Sequence, residues 1–303
     1  MPELLAGDSG NTLDPHSGSV VVSTDLASHD QHLESFAPER GRARPQVLRA
    51  LGLREPPLLV TVDSEIFHRD QIFKHDSWAA TASYRSARGR SIVCKFNRQA
   101  PIGWMPMRWL GHCLAKRELY FLQSLAGVQG IPRSYDSVQV NGTPLRHAVA
   151  HDFIPGQPLS ITHRLRLNFF NEVEILMAEL HARRIIYVDL HKQENVIVGD
   201  DGHPYLIDFQ VSLQLPAARW ADVLFGMLRD CDLYHVDKHR WIHRQPPASM
   251  KSRPRPWWLQ MHRSVGVPLR TLRRRLLVLI GVRRGTGSSS TEAAPEIGLR
   301  LPA

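Results

Sequence analysis

Residues 180–211 read LHARRIIYVDLHKQENVIVGDDGHPYLIDFQV, and the order of apolar and polar runs in this stretch decides what the chain can be. It opens on a helix end, passes through the short apolar run IIYV and crosses a polar loop. Two apolar arms follow, NVIV and YLI, separated by GDDGHP. Asp201-Gly202 is a strong turn signal, because glycine takes the positive φ that a tight hairpin needs. A turn centred on these two residues predicts Val198 opposite Tyr205, Val196 opposite Ile207 and Asn195 opposite Asp208. Directly opposed residues lie about 5 Å apart, so this register predicts an amide oxygen and a carboxylate side by side at the mouth of the hairpin.

That pair outlines a divalent-cation site. Mg²⁺ takes hard oxygen ligands, often one or two side chains with phosphates and water completing the shell. Asn195 and Asp208 would then hold Mg²⁺ or Mn²⁺ while ATP supplies further oxygens. Asp189 closes the IIYV run, where its carboxylate is free to accept a proton from an attacking hydroxyl. Lys192, between Asp189 and Asn195, is placed to offset charge on a transferring phosphate.

Outward from this stretch the pattern mixes α and β. Strand-like runs are residues 57–62 (PLLVTV), 91–96 (SIVCKF), 147–153 (HAVAHDF), 195–198 and 205–208. Residues 112–126 read as a helix with Leu114, Leu122 and Leu125 on its apolar stripe and Gly127 as a stop. Residues 171–183 read as a second, with Val173, Leu176, Met177 and Leu180 at i, i+3, i+4 and i+7. Glu118 falls four residues from both Leu114 and Leu122, which puts a carboxylate on the first stripe. A buried charge there needs a partner.

The run D-L-H-K-Q-E-N (189–195) followed by I-D-F-Q (207–210) resembles the catalytic loop and metal-binding Asp-Phe-Gly of the protein-kinase-like superfamily. The nearest likeness is to its atypical bacterial members, including RIO-type and lipopolysaccharide (Kdo-type) kinases, and it spans about residues 65–240. The resemblance implies an α+β, two-lobed fold with a small β-rich N-lobe (about 51–150) and a reduced helical C-lobe (about 151–234), together a domain of residues 46–234. It makes Lys95 and Glu118 the pair that grips the nucleotide phosphates, Asp189 and Lys192 the catalytic residues, and Asn195 and Asp208 the metal ligands. Residues 147–159 resemble the strand and hinge whose backbone meets adenine. The implied activity is transfer of the γ-phosphate of ATP to a hydroxyl, with protein Ser/Thr as the first expected acceptor. A sugar or lipid hydroxyl, as in lipopolysaccharide kinases, and a catalytically silent nucleotide-binding pseudokinase are the alternatives.

Four features depart from the family pattern. Asp189 and Asn195 are six residues apart where the family has five, so the loop bulges or His191 takes over part of a role. Tyr187 and Val188 replace the histidine and arginine before the catalytic Asp. Residues 75–91 (HDSWAATASYRSARGRS) hold only Gly89 where a glycine-rich loop is usual. Gln210 replaces the glycine after Asp-Phe, and no Ala-Pro-Glu segment follows to dock a peptide.

Charge is unevenly spread. Lys and Arg number 38 against 29 Asp and Glu, a formal net charge of +9, yet residues 235–284 alone carry 13 Lys/Arg and one Asp. That basic arm, expected to be helical, also holds Trp257, Trp258, Leu259, Leu276 and Leu277 beside Arg270, Arg273, Arg274 and Arg275, which suits an anionic membrane surface. Packing on the core competes with that reading, and nucleic acid ranks behind both. His235, His239 and His243 fall at i, i+4 and i+8, but Lys238, Arg240 and Arg244 would repel a cation, so a solvated or packed face is expected there rather than a metal site. Residues 1–45 and 285–303 have the composition of disordered tails. No apolar run approaches the roughly 18 residues of a membrane span. Glu3 and Asp8 stand where a secretory signal would carry basic residues. Cys94, Cys113 and Cys231 form no C-x-x-C pair, which argues against a disulfide framework or zinc ribbon. These features together predict a cytoplasmic chain, peripheral at a membrane if the arm binds lipid.

Overall fold

The computed structural model describes residues 49–245 apart from Gly103. The expected tails and the arm beyond residue 245 lie outside the described residues. In chain order the elements are β1 (Leu59–Val62), β2 (Glu65–His75), β3 (Ala79–Ser86), β4 (Ser91–Asn97), α1 (Arg108–Ser124), β5 (Ser134–Tyr135), β6 (Gln139–Val140), β7 (Thr143–Pro144) and β8 (Ala148–Asp152). There follow β9 (Gly156–Pro158), α2 (Phe169–Ala182), β10 (Ile185–Ile186), β11 (Val196–Gly199), β12 (Pro204–Leu206), β13 (Leu213–Gln214) and α3 (Arg219–Ile242). The fold is α+β.

An antiparallel sheet in the order β5-β8-β4-β3-β2-β1-β6-β7 holds most of the first half. Its two faces differ. Ala80, Ala82, Tyr84, Ile92, Cys94, Phe96 and Ala150 are wholly buried, and most of them belong to an apolar cluster with Val60, Val62 and Phe67. Alternate residues of β4 and β8 point the other way, towards α1. A second apolar cluster joins α1, α2, the β11–β12 hairpin and α3. Within α2 the predicted stripe is the buried one, Val173, Leu176, Met177 and Leu180 all facing that cluster. Along α1 the buried residues are Gly111, Ala115, Glu118, Phe121 and Leu122, with Leu114 only half-buried.

The hairpin corrects the predicted register by one residue. Val196 pairs with Leu206, Ile197 with Tyr205 and Val198 with Pro204. Gly199 N donates to His203 O at 2.9 Å and Gly202 N to Gly199 O at 2.7 Å, so the loop has three residues, Asp200, Asp201 and Gly202. Gly202 sits at φ +79°, closing a three-residue loop through the left-handed region. Asn195 consequently faces Ile207, whose N–H donates to the Asn195 carbonyl at 3.1 Å, and Asp208 lies one residue further on.

The expected boundary between residues 234 and 235 falls inside α3, which runs unbroken to Ile242. His235, Val236, Asp237, His239 and Arg240 are buried. His239 Nε2 bonds the Leu190 carbonyl at 2.7 Å, Arg240 pairs with Glu174 at 2.8 Å, and the His243 ring packs on Phe170 with centroids 5.7 Å apart. The histidine face is therefore a packed one, and the first turns of the expected arm belong to the core.

The α2 stripe gives a direct test. Leu180→Ala should cost about 2–5 kcal/mol in denaturant unfolding, whereas Ile175→Ala on the exposed face of the same helix should stay within roughly 0.5 kcal/mol of the parent.

Candidate active site

Lys95 lies on β4 and Glu118 on α1, and packing of the helix against the sheet joins them. Lys95 Nζ donates to Glu118 Oε1 at 3.2 Å and to Asp208 Oδ1 at 2.8 Å. Three residues far apart in sequence thus meet at one ammonium, and Glu118 is 1% exposed. The partner demanded by a carboxylate on the α1 stripe is the one expected. Burial alone would pull the Lys95 ammonium towards neutrality, but Glu118 and Asp208 outweigh it and hold its pKa above the usual lysine value. Burial also raises Asp208, yet the Lys95 charge, helped by Lys192, keeps its carboxyl below the ordinary range. Glu118 bears the cost. Burial pushes it up to about 7, with the Asp208 charge adding to that and the Lys95 charge offsetting only part.

A second group forms on the loop between β10 and β11. Lys192 Nζ donates to Asp189 Oδ2 at 2.6 Å, and Asn195 Nδ2 donates to the same oxygen at 3.0 Å. His191 Nδ1 stands 3.4 Å from Asp189 Oδ1. The loop folds as two successive 3₁₀ turns, Asp189–His191 and Gln193–Asn195, which bring Asn195 back to Asp189. His191 keeps its ring beside Asp189, and that ring is tilted at 48° to the His235 ring with centroids 5.9 Å apart. Burial opposes the charge on Lys192, but its bond to Asp189 prevails and raises its pKa.

The loop is held by a residue that sequence reasoning passed over. Asp232 on α3 is 1% exposed and accepts from Tyr187 N at 2.9 Å, Val188 N at 3.0 Å and His181 Nε2 at 3.2 Å. Val188 sits at φ +69°, a costly conformation for a β-branched side chain. The two bonds from the Asp232 carboxylate to consecutive amides hold the backbone in that bend. The Tyr187 hydroxyl donates to the Ile207 carbonyl and its ring meets Phe209 edge-on at 5.1 Å, so the loop and the Asp208 segment are tied together. Gln210 Nε2 donates to Asn97 Oδ1, linking that segment to the end of β4.

The donor set fits a hard cation. With its amide nitrogen committed to Asp189, Asn195 has its side-chain oxygen to offer, and Asp208 has the carboxylate oxygen not bonded to Lys95. Both are ligand types that Mg²⁺ and Mn²⁺ take, with phosphates and water completing the shell. The turn before β3 is different in kind from a phosphate cradle. Asp76 Oδ1 accepts from Trp78 N at 2.7 Å and Ala79 N at 3.0 Å, so those amides are already occupied.

No family model matches the chain. Phototropin-1A and Phototropin-1B of Oryza sativa subsp. japonica are each 35% identical to it over 92 residues, covering 27% of this chain. The chain spans about a tenth of the length of these curated relatives, 10% of each. So partial a likeness shows no family. Among the described residues no helix is long and apolar enough to cross a membrane.

Two outcomes follow from the geometry. Between the unfolded glutamate value near 4.5 and about 7, the folded protein holds a proton on Glu118 that the unfolded chain has released, so this residue makes stability fall as pH rises through that window. Glu118→Gln should flatten that slope in urea titrations run at pH 5 and pH 8. Asp232→Ala strands the buried Tyr187 amide and the partly buried Val188 amide and should cost roughly 2–4 kcal/mol, read as a lowered urea midpoint.

Proposed function

We propose that the chain is an ATP-dependent phosphotransferase with a two-lobed, protein-kinase-like arrangement, of the atypical kind the sequence resembles. The observation that carries this reading is the meeting of Lys95 with both Glu118 and Asp208, next to a loop on which Asp189, Lys192 and Asn195 share one hydrogen-bonded group. A lysine paired with two carboxylates beside a separately oriented Asp is the set of parts that phosphoryl transfer uses. The two apolar clusters, one within the sheet and one among the helices, suit two lobes.

In this reading Lys95, oriented by Glu118, binds the α and β phosphates of ATP. Asn195 and Asp208 hold Mg²⁺ or Mn²⁺, which when bound supplies charge neutralisation at the phosphates. Asp189, fixed through Oδ2 by Lys192 and Asn195, takes the proton of the acceptor hydroxyl as its oxygen bonds the γ-phosphorus and the bond to the leaving β-phosphate oxygen breaks. Lys192 faces the charge of the transferred group. The catalytic contribution is positioning and electrostatics. The acceptor class proposed first is protein Ser/Thr, with a glycolipid hydroxyl as the rival.

A second reading, nucleotide binding without turnover, is favoured by the self-capped turn at Asp76, which has fewer amides to offer a phosphate chain. One experiment separates the two. Purified protein is incubated with γ-labelled ATP, Mg²⁺ or Mn²⁺ and cell extract. Label should enter protein or glycolipid with the parent, and Lys95→Met, Asp189→Asn and Asp208→Ala should each lower incorporation at least about 100-fold while far-UV circular dichroism is unchanged. Cation-dependent ATP binding with no transfer selects the silent form, and activity retained in all three variants removes the phosphotransferase reading.

A further inference from the structure

His151 is a titratable ring on the face of the sheet that carries Lys95, and the phosphotransfer described above gives it no task. Register puts it there. Val93 pairs with His151 and Lys95 with Val149 across β4 and β8, so His151 is the diagonal neighbour of Lys95 on the same face, about 7–8 Å away by ordinary sheet geometry. Residual exposure follows that face. Ala79, Ser83, Val93, Lys95 and His151 keep between 5% and 9%, with Val149 at 2% and Asn97 at none on the same face, while Ala80, Ala82, Tyr84, Ile92, Cys94, Phe96 and Ala150 on the opposite face keep none and Ala148 and Asp152 there are half-buried.

The ring's hydrogen bonding fixes its chemistry. Nδ1 lies 2.8 Å from the Asp152 carbonyl oxygen, and a carbonyl only accepts, so Nδ1 carries the proton. Burial, reinforced by the Lys95 charge and only partly opposed by the bond to Asp152, holds the ring pKa below the usual histidine value. The ring is therefore neutral and Nε2 presents a lone pair. Among the described residues no donor meets that nitrogen, and the atom is not sealed from the surface, so its lone pair is open to a ligand.

We propose that His151 is a specificity-determining residue that reads the nucleotide base, its Nε2 accepting a hydrogen bond from an exocyclic amino group such as that of adenine. This rests on the nucleotide-binding reading of the preceding subsection. A 6-oxo purine would turn a carbonyl oxygen towards the same lone pair, leaving both acceptors unmatched. Sites built to bond a polar group reject the analogue lacking it more strongly than apolar pockets reject a change of size.

The test compares Mg²⁺-ATP with Mg²⁺-ITP, which differ only at the base, by calorimetric titration of the full chain. The parent should bind ATP about tenfold or more tightly. His151→Leu should bring the two within about threefold of one another by weakening ATP alone, and His151→Met, a second apolar replacement of similar size, should do the same. Lys95→Met should weaken both nucleotides equally. Equal binding of ATP and ITP by the parent, or a preference that survives in a folded Leu or Met variant, overturns the role of His151 and leaves nucleotide binding standing. A parent that binds neither nucleotide overturns both.

Discussion

A single ammonium group held between two carboxylates constrains the rest of this structure. Lys95 Nζ is reached by Glu118 from a helix and by Asp208 from the segment after a hairpin, and taking such charges out of water costs several kcal/mol each unless they are paired. The pairing therefore forces α1 against β4 and brings the Asp208 segment beneath both. The compromise is visible in Glu118, which burial drives to about 7 because one lysine cannot fully compensate two acidic neighbours. In the proposed phosphotransferase the nucleotide phosphates would compete for the same ammonium and free the Asp208 carboxylate for a cation.

Around that centre the backbone is held by polar anchors as well as by apolar packing. The Asp232 carboxylate takes two consecutive amides and lets Val188 adopt a bend that its own side chain disfavours. Asp189 then points at Lys192 and Asn195 from a loop whose two 3₁₀ turns accommodate the five residues between Asp and Asn. The same logic governs α3, whose buried face carries Asp232, His235, Asp237, His239 and Arg240. A helix that buries polar groups must satisfy them one by one, so its position is specified by directional bonds such as His239 to Leu190 and Arg240 to Glu174.

This explains which parts were legible in advance. The α2 stripe was readable because four apolar residues at helical spacing have few alternatives to a shared core. The strand carrying Lys95 and the hairpin before Asp208 were readable because short runs rich in β-branched residues end at clear turn signals. The strands β2 and β3 were not, since β2 is mostly exposed and polar and β3 is mostly Ala, Ser and Thr, whose alternation carries little hydrophobic contrast. The helix α3 escaped because its buried residues are polar, and Asp232 escaped with it. The hairpin register missed by one because a two-residue and a three-residue loop both fit a Gly202 with positive φ.

The sequence by itself determined the identities and order of the polar residues, the two helical stripes, and the need of Glu118 for a partner, because each follows from spacing along a helix or strand. Only the tertiary structure decided that Lys95 would serve Glu118 and Asp208 together, that Asn195 would turn to Asp189, that His151 would share a face with Lys95, and that Asp232 would hold the loop. Apart from Asn195 and Asp189, six residues apart on one loop, those contacts join segments tens to more than a hundred residues apart. Local periodicity carries no information about such distances, and the cost of burying unpaired charge selects the partner only once the chain has brought the candidates together.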